Sequence, residues 1–178
     1  MKKTISAIFV SSVLAASAMT VAHAAPNTTV NVMGTVNATT CDVVANTQSI
    51  NLGNAKPTDF TAVNTVVDST KQTFAIQLQN CGTSTSAGQA QLKVTGPVTS
   101  AGSSYFSKDP ASVVAVSLTT KDETVTNGEL INVGGVGDDA NKLNATQVPF
   151  EVALKSSQAN PSGGVAVEAP ITFSFVYN

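Results

Sequence analysis

Few residues in this chain have the chemistry to act on a substrate. Among its 178 residues there is one histidine, His23, and two cysteines, Cys41 and Cys81, while all nine basic residues are lysines. A Ser-His-Asp or Cys-His nucleophile needs an imidazole as general base, and the usual zinc sites need histidine or several thiolates. Adjacent acids occur only at Asp122-Glu123 and Asp138-Asp139. Carboxylates can hydrolyse sugars when they face each other across a bond. These two pairs instead sit in polar, Gly-containing stretches that read as solvated loops. The run Gly134-Gly135-Val136-Gly137-Asp138-Asp139 lacks the Lys-Ser/Thr of a phosphate loop and the spacing of a twelve-residue calcium loop, so it reads as a flexible turn.

Even the single imidazole is expected to be lost. Lys2 and Lys3 precede an apolar run from Ile5 to Val21 that ends in Ala22-His23-Ala24, the pattern of a secretory signal peptide over residues 1–24. Cleavage after Ala24 would take 24 of the 178 residues and leave 154, with seven lysines against eleven acids and no His, Arg or Trp. That balance offers no basic face for phosphates, so nucleic acid is not an expected partner. No later segment reads as a membrane span. Neither an enzyme activity, a metal nor a cofactor is expected.

Export also decides how the cysteines read. In an oxidising compartment Cys41 and Cys81 are most simply one disulfide, and the Cys-x-x-Cys spacing of a redox-active pair is absent. Their parity, opposite to that of the apolar residues nearby, suggests a bridge between two strand ends outside the main core face.

The elements that must carry these residues are strands. From Ala25 onward there are 21 Val and 21 Thr against 7 Leu, the composition of sheets and not of helices. Charged residues make up 11% of the chain, against about 25% in an ordinary domain. Period-two runs bounded by Gly, Pro, Asn, Asp and Ser predict strands at 30–40, 48–52, 71–80, 90–95, 113–119, 128–133, 147–154 and 165–177. In the last of these the odd positions read Val165, Val167, Ala169, Ile171, Phe173, Phe175, Tyr177. Alternation alone fits either an ordinary final strand or one that accepts a partner. The start is equally two-sided: residues 25–33 alternate Val30 and Val32 with polar neighbours, so this arm either frays or adds to another sheet.

Five motifs in order resemble those of chaperone-usher pilins, the major-subunit kind of type 1 and related fimbriae. They are Gly34-Thr35-Val36-Asn37-Ala38-Thr39-Thr40-Cys41, Ile50-Asn51-Leu52-Gly53, Phe74-Ala75-Ile76-Gln77-Leu78-Gln79-Asn80-Cys81, Val148-Pro149-Phe150, and an ending with Gly164 fourteen positions before the last residue and Tyr177 penultimate. The resemblance spans nearly all of the chain after residue 24.

It implies an all-β, incomplete immunoglobulin-like sandwich that lacks its final strand and is completed by donor-strand complementation, a mode of strand addition. Residues 34–178 would form the domain and 25–33 the donor extension. Donor side chains would be Thr28, Val30 and Val32. The acceptor and chaperone-recognition strand would carry Gly164, Ile171, Phe173, Phe175, Tyr177 and the terminal carboxylate of Asn178. Implied partners are neighbouring subunits, a periplasmic chaperone and an outer-membrane usher, on a route through the periplasm to a fimbrium that supports adhesion. The family usually has glycine in the donor strand where Thr28 stands, and this arm is shorter than in the best-known major pilins, which bears on the donor register. Alternative readings are a minor or single-domain adhesive subunit, a monomeric secreted β-sandwich binding module and, more distantly, a hydrolase.

Overall fold

A computed structural model describes residues 41–82 and 88–178. The expected signal segment, the donor residues Thr28, Val30 and Val32 and the strand expected at 30–40 all lie outside the described residues. Eight strands form two antiparallel sheets. They are β1 (Asp42–Ala45), β2 (Gln72–Gln79), β3 (Gln89–Thr95), β4 (Val114–Thr120), β5 (Glu123–Thr124), β6 (Leu130–Val136), β7 (Gln147–Ser156) and β8 (Thr172–Tyr177). One sheet runs β1-β2-β7-β4-β5 and the other β6-β3-β8. Among the described residues no helix is long and apolar enough to cross a membrane.

Alternation makes the sandwich. In β2 the even residues Phe74, Ile76 and Leu78 are buried, in β3 Ala90, Leu92 and Val94, and in β7 Val148, Phe150 and Val152. Successive side chains of a strand point to opposite faces, so each run turns one apolar face inward. Three rings join the sheets: Phe74 and Phe150 stack at 5.4 Å, and Phe173 of the other sheet meets them at 5.8 and 4.9 Å between centroids. Rings at such separations gain more than their buried area alone would give.

β4 departs from alternation, with both faces buried from Val114 to Leu118. Its outer face is covered by the connection from β3, where buried Tyr105 lies against Lys155, the cross-strand partner of Ala115. Phe106 and Val116 exchange backbone hydrogen bonds at 3.0 and 2.8 Å, which extends the sheet past β4. A two-residue turn at Lys121-Asp122, both with positive φ, connects β4 to β5, as tight hairpins require.

Cys41 and Cys81 form a disulfide at the start of β1 and just past the end of β2. It ties two strand ends as expected, but not outside the core face: both cysteines are half-buried and pack against the main core, Cys41 on the same parity as Val43 and Ala45.

Several expected elements differ. Residues 48–52 form no strand: Ile50 and Leu52 pack on the core, but no neighbouring strand among the described residues pairs with them. The last strand is laddered only from Thr172, because its partner β3 ends at Thr95 opposite that residue. The strand expected at 128–133 runs instead from Leu130 to Val136, since Asn127 and Gly128 form a turn. β1 and a one-turn helix, α1 (Ala140–Leu143), have no counterpart in the expected strands.

Asp122 and Glu123 are exposed, but Asp138 and Asp139 are more than solvated loop acids. Asp138 accepts from the Gly135 N–H at 2.6 Å and pairs with Lys142 at 2.9 Å, while Asp139 caps α1 through the Lys142 N–H. These bonds lower the Asp138 pKa, the Lys142 contact foremost. The expected flexible turn is thus the end of β6 followed by a pinned corner. Leu143 of that corner is fully buried, and a Cβ on Gly134 would come within 2.7 Å of it.

One buried side chain has no carboxylate. Lys155 of β7 is 7% exposed, donates to Ser104 Oγ at 3.0 Å and lies 4.1 Å from the Tyr105 ring centre. Burial lowers its pKa. A folded-state pKa below the unfolded value means the ammonium costs stability at neutral pH, and the cost is relieved as pH rises through the lowered pKa towards 10.5. Lys155→Met is therefore expected to stabilise the protein by about 1 kcal/mol at pH 7, net of the lost ring contact. In thermal melts the advantage should shrink as pH approaches the ordinary lysine value. A variant less stable than wild type at pH 7 would mean that the ammonium–ring contact outweighs desolvation.

Candidate functional site

A groove of about 1310 Å³ lies between two strips of chain that belong to neither sheet's ladder. One strip, residues 47–55, leaves β1. The other, 163–171, leads into β8. The floor is Phe74, Ile76, Val114, Val116, Val152 and Leu154, with Phe173 and Ile171 on the β8 side and Ile50 and Leu52 opposite. A second apolar cluster of Phe60, Val67 and Val114 closes one end. Among the described residues Glu168 is the only charged one lining the groove. Small-molecule pockets run to roughly 300–1,000 Å³, so this one exceeds that range, and its long apolar walls suit an extended chain.

The backbone along the walls is short of partners. β8 pairs with β3 alone, from Ala90↔Tyr177 to Thr95↔Thr172, and among the described residues no strand lies on its other edge. Among the described residues, the one backbone hydrogen bond of the 163–171 strip is accepted by Glu168 O from the Lys108 N–H at 2.7 Å, reinforced by a Lys108–Glu168 ion pair at 3.3 Å. On the facing strip, Gly53 N–H turns back to Asn51 Oδ1 at 2.9 Å. Buried backbone groups are nearly always paired, so a sheet edge beside an apolar floor is a template for another strand.

The side chains tell the same story. Val167, Ala169, Ile171, Phe173 and Phe175 share one face and pack against the core, yet all are only half-buried. An aromatic side chain buries about 150–250 Å² when enclosed, and each Å² of apolar surface removed from water is worth about 25 cal/mol. Covering this face is favourable for any occupant that brings its own apolar side chains.

The structure brings Gly164, Ile171 and Phe173 together in the groove lining. Phe175, opposite Leu92, follows on the same face beyond it. Tyr177 lies at the far end, where its ring occupies the space a Cβ on Gly88 would need. The terminal Asn178 exchanges backbone hydrogen bonds with Gln89, and its carboxamide donates to Gln91 Oε1 at 3.2 Å. Of the paired glycines it is Gly163, at φ +89°, that needs to be glycine, whereas a Cβ on Gly164 would meet nothing. Sequence reasoning missed the wall at 47–55 as a wall. Ile50 and Leu52 alternate correctly, but no local pattern reveals whether an alternating run finds a neighbour.

Among the described residues no group of three or more His, Cys, Asp or Glu is placed to hold a metal. The groove offers apolar surface and backbone hydrogen-bonding edges, which is the chemistry of strand recognition.

Comparison with known proteins adds three findings. A family model described as fimbrial protein matches residues 30–178. The fold is similar to the crystal structure of the P pilus rod subunit PapA, at 19% identity and a TM-score of 0.58, covering 78% of this chain and 99% of that one. It is also similar to a subunit in the structure of a chaperone-usher pilus described for its rod uncoiling, at 20% identity and a TM-score of 0.56, covering 85% of this chain and 96% of that one. No curated protein matches by sequence.

If the odd-numbered face of β8 is the one that meets the core, Phe173→Ala should cost about 2–3 kcal/mol in urea unfolding, less than a fully enclosed phenylalanine. Thr172→Ala and Ser174→Ala, on the exposed parity, should each change stability by less than about 0.5 kcal/mol. Similar losses at all three positions would contradict this assignment of faces.

Proposed function

We propose that this chain, which belongs to the fimbrial protein family, is a pilus subunit of the chaperone-usher type that polymerises head to tail by donor-strand exchange. Residues 25–33 of one copy would enter the groove of the next, with Thr28, Val30 and Val32 as the inserted side chains and 34–178 as the accepting domain. The observation that carries this reading is the open groove, with Phe173 and Phe175 half-buried beside a β8 edge that no strand among the described residues covers.

The physics supports it. The arm Ala25-Pro26-Asn27-Thr28-Thr29-Val30-Asn31-Val32-Met33 has no charged side chain, and among the described residues the groove it would fill has only Glu168. Each enclosed valine contributes roughly 1.5–3 kcal/mol and each ladder hydrogen bond about 0.5–1.5 kcal/mol net. A donor and an acceptor at different places on one chain make a heterologous contact that does not close on itself, and such contacts build filaments.

Before assembly the same groove needs a temporary occupant, the role of a periplasmic chaperone that would hand the subunit to an outer-membrane usher. The acceptor strand Val165 to Tyr177 and the Asn178 carboxylate would be its recognition surface. Assembly with other pilus subunits and a place at the cell surface follow from the family. Support of adhesion is the expected outcome of the polymer. A fimbrial subunit acts as structure rather than as an enzyme.

Deleting residues 25–33 should leave a subunit that still binds its chaperone but forms no detergent-resistant ladder on unboiled gels. Ladders from the deleted protein would refute exchange through this arm. Independently, a peptide copying Ala25 to Val36 should raise the melting temperature of the arm-deleted domain. An unchanged melting temperature at saturating peptide would favour a monomeric sandwich that needs no added strand.

A further inference from the structure

Asn127-Gly128 is the only Asn-Gly pair in the chain, and both residues are exposed. Glycine after asparagine leaves the backbone nitrogen unshielded, and asparagine is a thermolabile residue. In this fold, however, the reacting groups are already committed. The pair occupies the centre of a turn closed by the Glu129 N–H donating to Thr126 O at 3.1 Å, with Gly128 at φ +89°, a conformation that favours glycine. The Gly128 N–H donates to Val94 O at 2.7 Å, and the Asn127 N–H to Ser103 O at 2.8 Å. Asn127 Oδ1 accepts from the Gly96 N–H at 3.0 Å. The Glu129 carboxylate accepts from the Thr126 N–H and hydroxyl at 2.7 and 2.9 Å, which fixes the turn from its other side.

We propose that Asn127 is a conformation-gated modification site, where deamidation is suppressed while this turn is closed and proceeds when the 94–96 and 126–129 segments part. In the reaction the Gly128 nitrogen gives its proton to hydroxide and attacks Asn127 Cγ. A Cγ–N bond forms, the Cγ–Nδ2 bond breaks, and Nδ2 leaves as ammonia with a proton taken from water. Water then opens the succinimide at either carbonyl, giving aspartate or isoaspartate, with no change of oxidation state. The attack requires Gly128 to release Val94 O and Asn127 to swing away from Gly96, so both tethers must break first.

The two products differ in what they do to the fold. Aspartate keeps the backbone path, and its carboxylate still accepts from Gly96. Isoaspartate adds a methylene to the main chain inside the turn that leads from β5 into β6, next to the Lys93↔Leu130 pair of the β3–β6 ladder. A chain that has spent time open would carry a permanent record of it.

To test this, the purified protein is incubated at one mildly alkaline pH in native buffer and in guanidinium chloride. The Asn127 peptide is then followed by mass spectrometry, with aspartate and isoaspartate separated chromatographically. Conversion in native buffer is expected to be at least about tenfold slower, as for any event that needs local opening. Equal rates, or no conversion in denaturant, would overturn the proposal. After return to native buffer, chains with isoaspartate should melt below the rest, whereas Asn127→Asp should melt within about 2 °C of wild type. Isoaspartate chains that melt with wild type, or a large loss in Asn127→Asp, would equally defeat it.

Discussion

The contact among Phe74, Phe150 and Phe173 holds the two sheets of this protein together, and most other features answer to it. Two of the rings sit on adjacent strands of the larger sheet, and the third is supplied by the last strand of the smaller one. Among the described residues Phe173 therefore reaches the core from a strand laddered on one side only. Everything beyond it towards Gly163 follows from that one-sided support: the strip loses its ladder where β3 stops, keeps its alternation, and lies along an apolar floor it does not fully cover. The groove is what remains when a core is closed from one side.

Low charge takes on a structural meaning in the same frame. With few ions to spend on pairing, this fold uses carboxamides and hydroxyls as substitutes for backbone acceptors. Asn46 Oδ1 accepts from the Ala75 N–H, Asn144 Oδ1 from Cys81, Asn127 Oδ1 from Gly96, and Thr70 Oγ1 from Leu154, each at 2.9–3.0 Å. Every one of these bridges segments far apart in sequence. Asparagine and threonine, which as composition suggest only turns and strands, here stitch irregular chain to ordered chain.

The paired strands were legible because period-two alternation is local: β2, β3, β4 and β7 fall within two residues of where their side chains place them. Phe173 could be assigned to the inner face of the last strand by parity alone. What could not be read was whether an alternating run would find a neighbour. Residues 48–52 and 165–171 alternate as well as β2 does, but pairing depends on where a distant strand ends, as β3 does at Thr95. The covering of β4 by Tyr105, and with it the burial of Lys155, is likewise a long-range event. The corner at Asp138 was misjudged for a different reason, since an acid beside glycines looks solvated until its partners Gly135 and Lys142 are placed around it.

The disulfide has a mechanical consequence. A pull applied through the residues that precede Cys41 reaches the domain at the start of β1, the outermost described strand of its sheet. Without a cross-link such a pull would peel β1 away one hydrogen bond at a time. The Cys41–Cys81 bond passes the tension directly to the end of β2, an interior strand laddered on both sides to β1 and β7. The domain then resists by shearing many bonds at once, so a single covalent link converts its most easily unzipped edge into a handle.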